Sequence, residues 1–547
     1  MFYITKVLNM RNAMWVGRGI RGMGGIPMLG TGARGLTALI RGIFRNNEQG
    51  FFYDPNDLST MYQDAAGTTP VTAVGQPVGL VLDKSKGLAL GANYLNTATL
   101  DFTIGWSSTA SVTAKSKNSF TVNGSGGCYR NLSGLISKVV RIRLKGRCGV
   151  SWTLRNSGDA NGAVNVPAGE FDVTSNNAEI FKNSASIYFI INGASTLTLD
   201  SISVDELKGN HAYQTTSAAR PILQQTPILG NELVVNGDTS NGTDGWITTN
   251  ATLQTIDGSF VMASSAQFGG VTKPISLDTS KTYELTFTVI GNTTNVVLAA
   301  IIRPASTITN YASVTITTAG KYKLIFKPTE VSSRFMFQHS NVAPTGSLTF
   351  DDVSIKEITG YRTDQNYLAF DGVDDFLQTN NIDFTATDKV SLFTGVRRLS
   401  DAAPSVLVEL SASIANVGTF NIQAPRTGNS YGVGVRGSTL NAVDYSTYTA
   451  PISNVISLKL TTSATNYLGA IMGRFDGVNT AGSANSSAAS IGNYGNYPLY
   501  IGRRGGTYLP FNGHLYSLIG IGKLTSDSET LAIEKELAKR IGVTLSV

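Results

Sequence analysis

The sequence predicts an all-β protein made of tandem β-sandwiches. Short runs of branched and aromatic residues alternate with polar ones, as half-buried strands require. Gly, Asn, Ser and Thr crowd the connections between them, and glycine alone numbers 58. The pattern also repeats at the scale of a module. The length of 547 residues corresponds to roughly three to four domains. Hydrophobic residues make up 41%, enough for several cores, whereas charged residues are only 15%, below the roughly 25% usual for a globular chain. The net charge of +6 misleads, because residues 1–47 carry seven bases and no acid and the remainder sums to −1.

Residues 1–50 form the first segment, an irregular, basic, Gly-rich arm. Its apolar residues are interrupted by Gly and Arg, so it contains neither a membrane span nor the unbroken apolar stretch of a signal peptide. A short helix is expected around Gly35–Arg45, with Leu36, Leu39, Ile40 and Ile43 on one face and Phe44 beside them. Such a segment needs a partner surface. It is expected to anchor the chain to a larger assembly, with Arg11, Trp15, Arg18, Arg21, Arg34 and Arg41 as the anchoring side chains. Membrane-surface attachment and a disordered tail are the competing readings. Few aromatics interleave with the arginines, which argues against nucleic acid.

Residues 51–87 open with Phe51-Phe52-Tyr53 and an Asx/Pro turn at Asp54-Pro55, and close on Asp83-Lys84-Ser85. Residues 88–208 and 229–359 look like two copies of one module. Trp106 precedes Ser119-Phe120 by the spacing that separates Trp246 from Ser259-Phe260. Leu197–Leu207 parallels Leu348–Ile358, and in both the apolar alternation slips after an aspartate, Asp200 and Asp351. A shared slip predicts a shared β-bulge. Short alternating strands over this length suit a jelly roll. The repeated tryptophans are expected to be structural, and Trp152 a core residue.

Residues 209–228 bridge the copies, and residues 360–547 form a further sandwich. Strands are expected at 390–396, 406–410, 419–423, 431–435, 456–461, 468–475, 499–501 and 514–520. Tyr367–Phe370 leads into a tight Asp371-Gly372 turn and a second strand through Phe376 and Leu377. One helix closes the chain. Ser526 and Glu529 make a capping box, Ile533, Leu537 and Ile541 an apolar stripe, and Gly542 a C-terminal cap.

The stretch from Phe52 to Ser85 resembles the opening of bacteriophage virion proteins with a concanavalin A-like (laminin-G-like) domain. The pieces that usually follow are present but displaced: Gly209-Asn-His-Ala212, Ala219-Arg-Pro221, Tyr367–Leu377, Leu499–Arg504 and Phe511–Ser517. The resemblance implies a concanavalin A-like sandwich interrupted by two jelly rolls, and Asn231–Trp246 at the start of the second copy resembles carbohydrate-binding jelly rolls. It also implies a virion location, contacts with other virion proteins through residues 1–47, trimerisation, and adhesion to host-surface glycan as a tail fibre. A head fibre or capsid-decorating protein is the second reading, and a glycan depolymerase the third. No catalytic constellation is visible, so the chain is not expected to be an enzyme.

The candidate glycan-binding residues are Tyr494, Tyr497, Arg503, Arg504 and Tyr508, which surround a Gly-rich loop beside the long 477–495 connection. Loop packing is the competing explanation. No cofactor is expected, although Asp371, Asp374 and Asp375 offer hard oxygen ligands that suit calcium. Turn chemistry explains the same trio. Cys128 and Cys148 fit neither a disulfide framework nor a metal pattern, and are free thiols or one bridge.

Overall fold

The structure, a computed structural model, describes residues 35–136, 138–156, 162–181, 183–294, 297–340 and 345–547. Every strand pair in it is antiparallel, and the strands assemble into sandwiches with separate hydrophobic cores.

The largest sandwich draws its strands from both ends of the chain. One sheet places Asn512–Ile521 between Lys389–Arg398 on one side and, on the other, Gly50–Tyr53 followed by the end of Leu348–Asp371. Ile452–Thr461, Ile471–Phe475 and Val478–Thr480 extend it. The facing ten-stranded sheet runs Met61–Tyr62, Leu80–Val81, Ala212–Tyr213, Leu377–Asp383, Asn496–Ile501, Val406–Leu410, Thr419–Gln423, Tyr431–Arg436, Leu440–Tyr445, Ser483–Ser486. The alternation of each strand aims one row inward, as in Tyr431, Val433 and Val435. Segments from before, between and after the two copies therefore share one core that includes Phe51, Val81, Ala212, Leu223, Leu368 and Leu518.

The two copies have the same topology. In the first, one sheet runs Val112–Lys115, Ser119–Val122, Ser195–Leu207, Val140–Cys148, Gly169–Asn177, with Leu90–Asn96 on the free half of Ser195–Leu207. In the second it runs Ala251–Ile256, Ser259–Ser264, Leu348–Asp371, Tyr283–Asn292, Gly320–Phe326, with Ile222–Glu232 in the place of Leu90–Asn96. The facing five-stranded sheets also match. They run Ser107–Ser108, Ser125–Asn131, Ser186–Asn192, Trp152–Arg155, Val164–Val166 in the first copy, and Ile247–Thr249, Gly270–Ser276, Ser332–His339, Leu298–Pro304, Ala312–Ile316 in the second.

The expected bulge is present in both. Leu199 and Ser201 pair with the consecutive Gly146 and Lys145, leaving Asp200 extra. Asp351 and Ser354 pair with Thr288 and Thr286, and Asp352 in the excess takes φ +53. Trp106 packs on Phe102 and Phe189, and Trp246 on Phe260, Phe335 and Phe350. Trp152 is fully buried. Cys128 and Cys148 are buried free thiols, and burial pushes Cys128 up to about 11.

The chain passes between sandwich and modules in two ways. At the first module a buried knot joins the two crossings. Asp83 accepts from the amides of Phe52, Ser85 and Asn210 and from the Ser85 hydroxyl, while the Asp83 amide donates to Nδ1 of His211. Burial raises Asp83 to about 6 against these donors and lowers His211 to about 4. At the second module the crossing is a ribbon: Leu348–Asp371 is a single 24-residue strand that closes the module and then enters the sandwich, paired along the way with Ile222–Glu232.

Several expectations need correction. The Asp371-Gly372 turn is not a two-residue hairpin, because the strand ends at Asp371 and resumes only at Leu377. Asp371 Oδ1 accepts from the Val373 and Asp374 amides and stabilises a longer turn. The 477–495 connection contains two short strands, Val478–Thr480 paired with Ile471–Phe475 and Ser483–Ser486 paired with Leu440–Tyr445. The closing helix Asp527–Ile541 has its capping box and its αL Gly542. The expected short helix is present at Leu36–Ile43, but it is docked: Leu36, Ile40, Ile43 and Phe44 are buried against Ile533, Leu537, Ala538 and Phe52. An apolar stripe of this kind gains most by covering a matching one, so residues 36–44 pack with the closing helix in a separate apolar cluster on the outer face of one sheet of the large sandwich. Arg41 is exposed on this docked helix. Arg11, Trp15, Arg18, Arg21 and Arg34 lie outside the described residues.

Burying these four side chains stabilises the sandwich by roughly 5 kcal/mol or more. In a calorimetric comparison, a chain lacking residues 1–47 is expected to melt roughly 10 °C below one lacking residues 1–34.

Candidate functional site

The large sandwich has an outward cleft of about 140 Å³ on its ten-stranded sheet, lined by Ile414, Asn421, Gln423, Arg426, Val433, Gly434, Leu440, Ala442, Asn485 and Arg504. Strand parity builds it. With Tyr431, Val433 and Val435 turned inward, Gly432 and Gly434 fall on the outer row. A Cβ at Gly432 would lie 2.6 Å from Cδ of Arg426, and one at Gly434 would lie 2.7 Å from Oδ1 of Asn421. The glycines thus make room for the polar side chains. Arg426 Nη1 donates to both oxygens of Asp444 at 2.7 and 2.8 Å, and Asn485 donates to the same carboxylate. Arg504 Nε donates at 2.7 Å to Glu409, which is fully buried. Burial raises the Glu409 pKa, and Arg504 opposes the rise. Guanidinium forks beside amides and carboxylates can exchange hydrogen bonds with the paired hydroxyls of a sugar.

The five candidate glycan-binding residues do not converge. Arg504 lines the cleft. Tyr494 does not, because its ring is buried in the core with edge contacts to Phe384 and Phe420, and it offers no stacking face. Tyr497 is half-buried against the core and donates to the Val417 carbonyl. Arg503 braces the turns by donating to the carbonyls of Asp374 and Thr507. Tyr508 is 70% exposed.

Asp371, Asp374 and Asp375 do lie together, with ligand oxygens within 4.8 Å of one another. Asp375 also accepts from the Asp371 amide, so the trio shapes the turn whether or not it holds a cation. Burial, reinforced by Asp371 and Asp374, raises Asp375 to about 6.

The modules carry a second kind of face that sequence reasoning missed. On the outer side of the five-stranded sheet in the first copy, Tyr129 and Tyr188 are directly opposed and stacked, with centroids 4.5 Å apart and planes at 6°. Arg155 is the next neighbour of Tyr188. In the second copy the same register holds Thr272, Met336 and Ile301, and the row two residues further along holds Pro274, Arg334 and Arg303. Alternation alone marks these residues as outward, but their pairing depends on register between strands distant in sequence.

No protein-family profile matches the chain, and no curated protein matches it. Among solved structures, the chain is similar to one titled "CBM4 structure and function", with 18% identity and a TM-score of 0.19, over 23% of this chain and 99% of that one. It is also similar to a CBM22 tandem domain from Paenibacillus barcinonensis, with 16% identity and a TM-score of 0.19, over 50% and 99%. A third is the Ruminococcus gnavus IT-sialidase CBM40 bound to alpha2,3 sialyllactose, with 16% identity and a TM-score of 0.22, over 29% and 97%. Likenesses this low say nothing of ligands. The strand order described above defines a tandem β-sandwich protein with two jelly-roll modules. Among the described residues no helix is long and apolar enough to cross a membrane.

An acid whose pKa is higher folded than unfolded takes up its proton first in the folded state, so it adds stability as pH falls. Between pH 6.5 and 4 the Tm of the native protein therefore rises relative to that of Asp375→Asn, and thermal melts of the two across this range check it.

Proposed function

We propose that this chain is a structural subunit of a phage virion fibre or spike, fixed to the particle through its basic N-terminal stretch and offering its sandwich faces to host-surface glycan. The observation that carries the adhesion reading is the outward row Tyr129–Tyr188–Arg155. Aromatic rings accept the C–H faces of sugars and a guanidinium fork binds their hydroxyls, a combination that suits low-affinity contact. The Arg426–Asp444–Asn485 cleft on the large sandwich adds a second place for a sugar. Weak contacts multiplied over several modules, and over the copies of a trimer, give useful avidity. The virion reading rests on the resemblance of the displaced segments, which share one core in spite of the material between them. Calcium at Asp371, Asp374 and Asp375 would stiffen the turn beside Arg503.

Immunogold labelling with antibody to this chain is expected to mark intact particles. The isolated chain is expected to bind members of a glycan array, and Tyr188→Ala to weaken binding to the neutral ones about tenfold, equivalent to ~1.4 kcal/mol. A chain absent from particles overturns the virion reading, and a blank array for the native chain overturns adhesion.

A further inference from the structure

The second module puts two arginines where a sheet would ordinarily avoid them. Arg303 and Arg334 are directly opposed on adjacent strands, Leu298–Pro304 and Ser332–His339. Like charges in that relation destabilise a sheet. Among the described residues neither forms an ion pair, and the Nε of each is buried without a hydrogen-bond partner. Among the described residues the one hydrogen bond of either guanidinium is a long one, from Arg334 Nη2 to the Thr307 carbonyl at 3.5 Å. Glu330, on the adjoining connection, accepts from Ser306 and reaches neither arginine. Desolvation, and then the neighbouring Arg334, push the Arg303 pKa down.

The fold does not require this pair. The first module has the same topology, and there Ser186 stands in the place of Arg334. The second module thus carries a cation where the first has a serine, and Met336 and Ile301 take the places of Tyr188 and Arg155. Beside them on the same outer face Ile301 and Met336 are directly opposed, 8% and 6% exposed, and outside the inner core. Two uncompensated guanidinium forks next to a small apolar floor leave a place for one planar anion attached to a ring.

We infer that Arg303 and Arg334 form a binding site for the carboxylate of an acidic sugar, so that the second module takes acidic polysaccharide while the first takes neutral sugar. This rests on the glycan-adhesion reading and names the ligand class of one module. The Nη groups of the two guanidinium forks donate to the carboxylate oxygens when the anion arrives, and the anion relieves the repulsion between them.

The test uses the full chain with immobilised polygalacturonate, the same polymer after reduction of its carboxyl groups, and single-stranded DNA. The native chain is expected to bind polygalacturonate at least tenfold more tightly than the reduced polymer or DNA. The Arg303→Gln/Arg334→Gln variant loses that preference, whereas Tyr188→Ala keeps it. Arg334→Gln alone is expected to raise Tm, since it removes the like-charge contact, which separates lost binding from lost folding. Equal binding of polygalacturonate by the native chain and the double variant overturns the site. So does equal binding of DNA, which would mean an unselective polyanion surface. If the chain binds neutral array glycans and no carboxylated polymer, the inference fails and adhesion stands. If it binds neither, both fail.

Discussion

The architecture depends on one buried carboxylate. Asp83 sits where the chain leaves the large sandwich for the first module, and Asn210 and His211 where it returns. A carboxylate sealed from water survives only if donors replace its hydration. Here the donors come from both crossings: the amides of Phe52 and Ser85 precede the module and that of Asn210 follows it. The Asn210 side chain donates in turn to the Gly50 carbonyl, and the Tyr53 hydroxyl to the Asn210 carbonyl. Asp54 ties the same strand to Lys84 and to Arg540 of the closing helix. Two chain segments far apart in sequence are thus held at a fixed separation, which is what an inserted domain needs of its host.

The second module is connected by continuity instead of a knot. A ribbon formed by Ile222–Glu232 and Leu348–Asp371 belongs to both bodies, with its bulges at the point of transfer. The first module has additional contacts with the sandwich. The Asn176 amide donates to the Gly67 carbonyl and the Ser175 hydroxyl to that of Ala66, while Ala65, Leu80, Leu82, Val139, Ala178, Leu207 and Tyr213 share a small apolar cluster. Two modules of one topology are thus presented differently, and their outer faces differ, with paired tyrosines on one and paired arginines in a neighbouring row of the other.

Features written in local order were legible in the sequence. The capping box at Ser526, the bulge after Asp200 and Asp351, and the buried tryptophans each follow from spacing within one segment. The helix at 36–43 was legible too, but what it covers was not, since its partner stripe on Ile533 and Leu537 lies at the opposite end of the chain. Tyr494 is marked in the sequence as a binding candidate by its place near the Gly-rich loop at Arg503-Arg504. It precedes its strand, where alternation assigns no face, and the contacts with Phe384 and Phe420 decide its burial. The rows Tyr129–Tyr188 and Arg303–Arg334 depend on cross-strand register, which a period of two residues does not contain. The strand Leu440–Tyr445 was missed because Asn441 and Asp444 interrupt its apolar residues, although Asn441 is buried in the structure.

Hydrogen exchange on Asp83→Asn tests most directly whether one knot closes the interrupted sandwich. An asparagine there would set an amide N–H against the converging donors. The account predicts that protection falls together in Gly50–Tyr53 and Ala212–Tyr213, on the two sides of the insertion, while the strands around Trp152 keep theirs. Loss confined to Asp83–Ser85, with both flanking strands still protected, would contradict it.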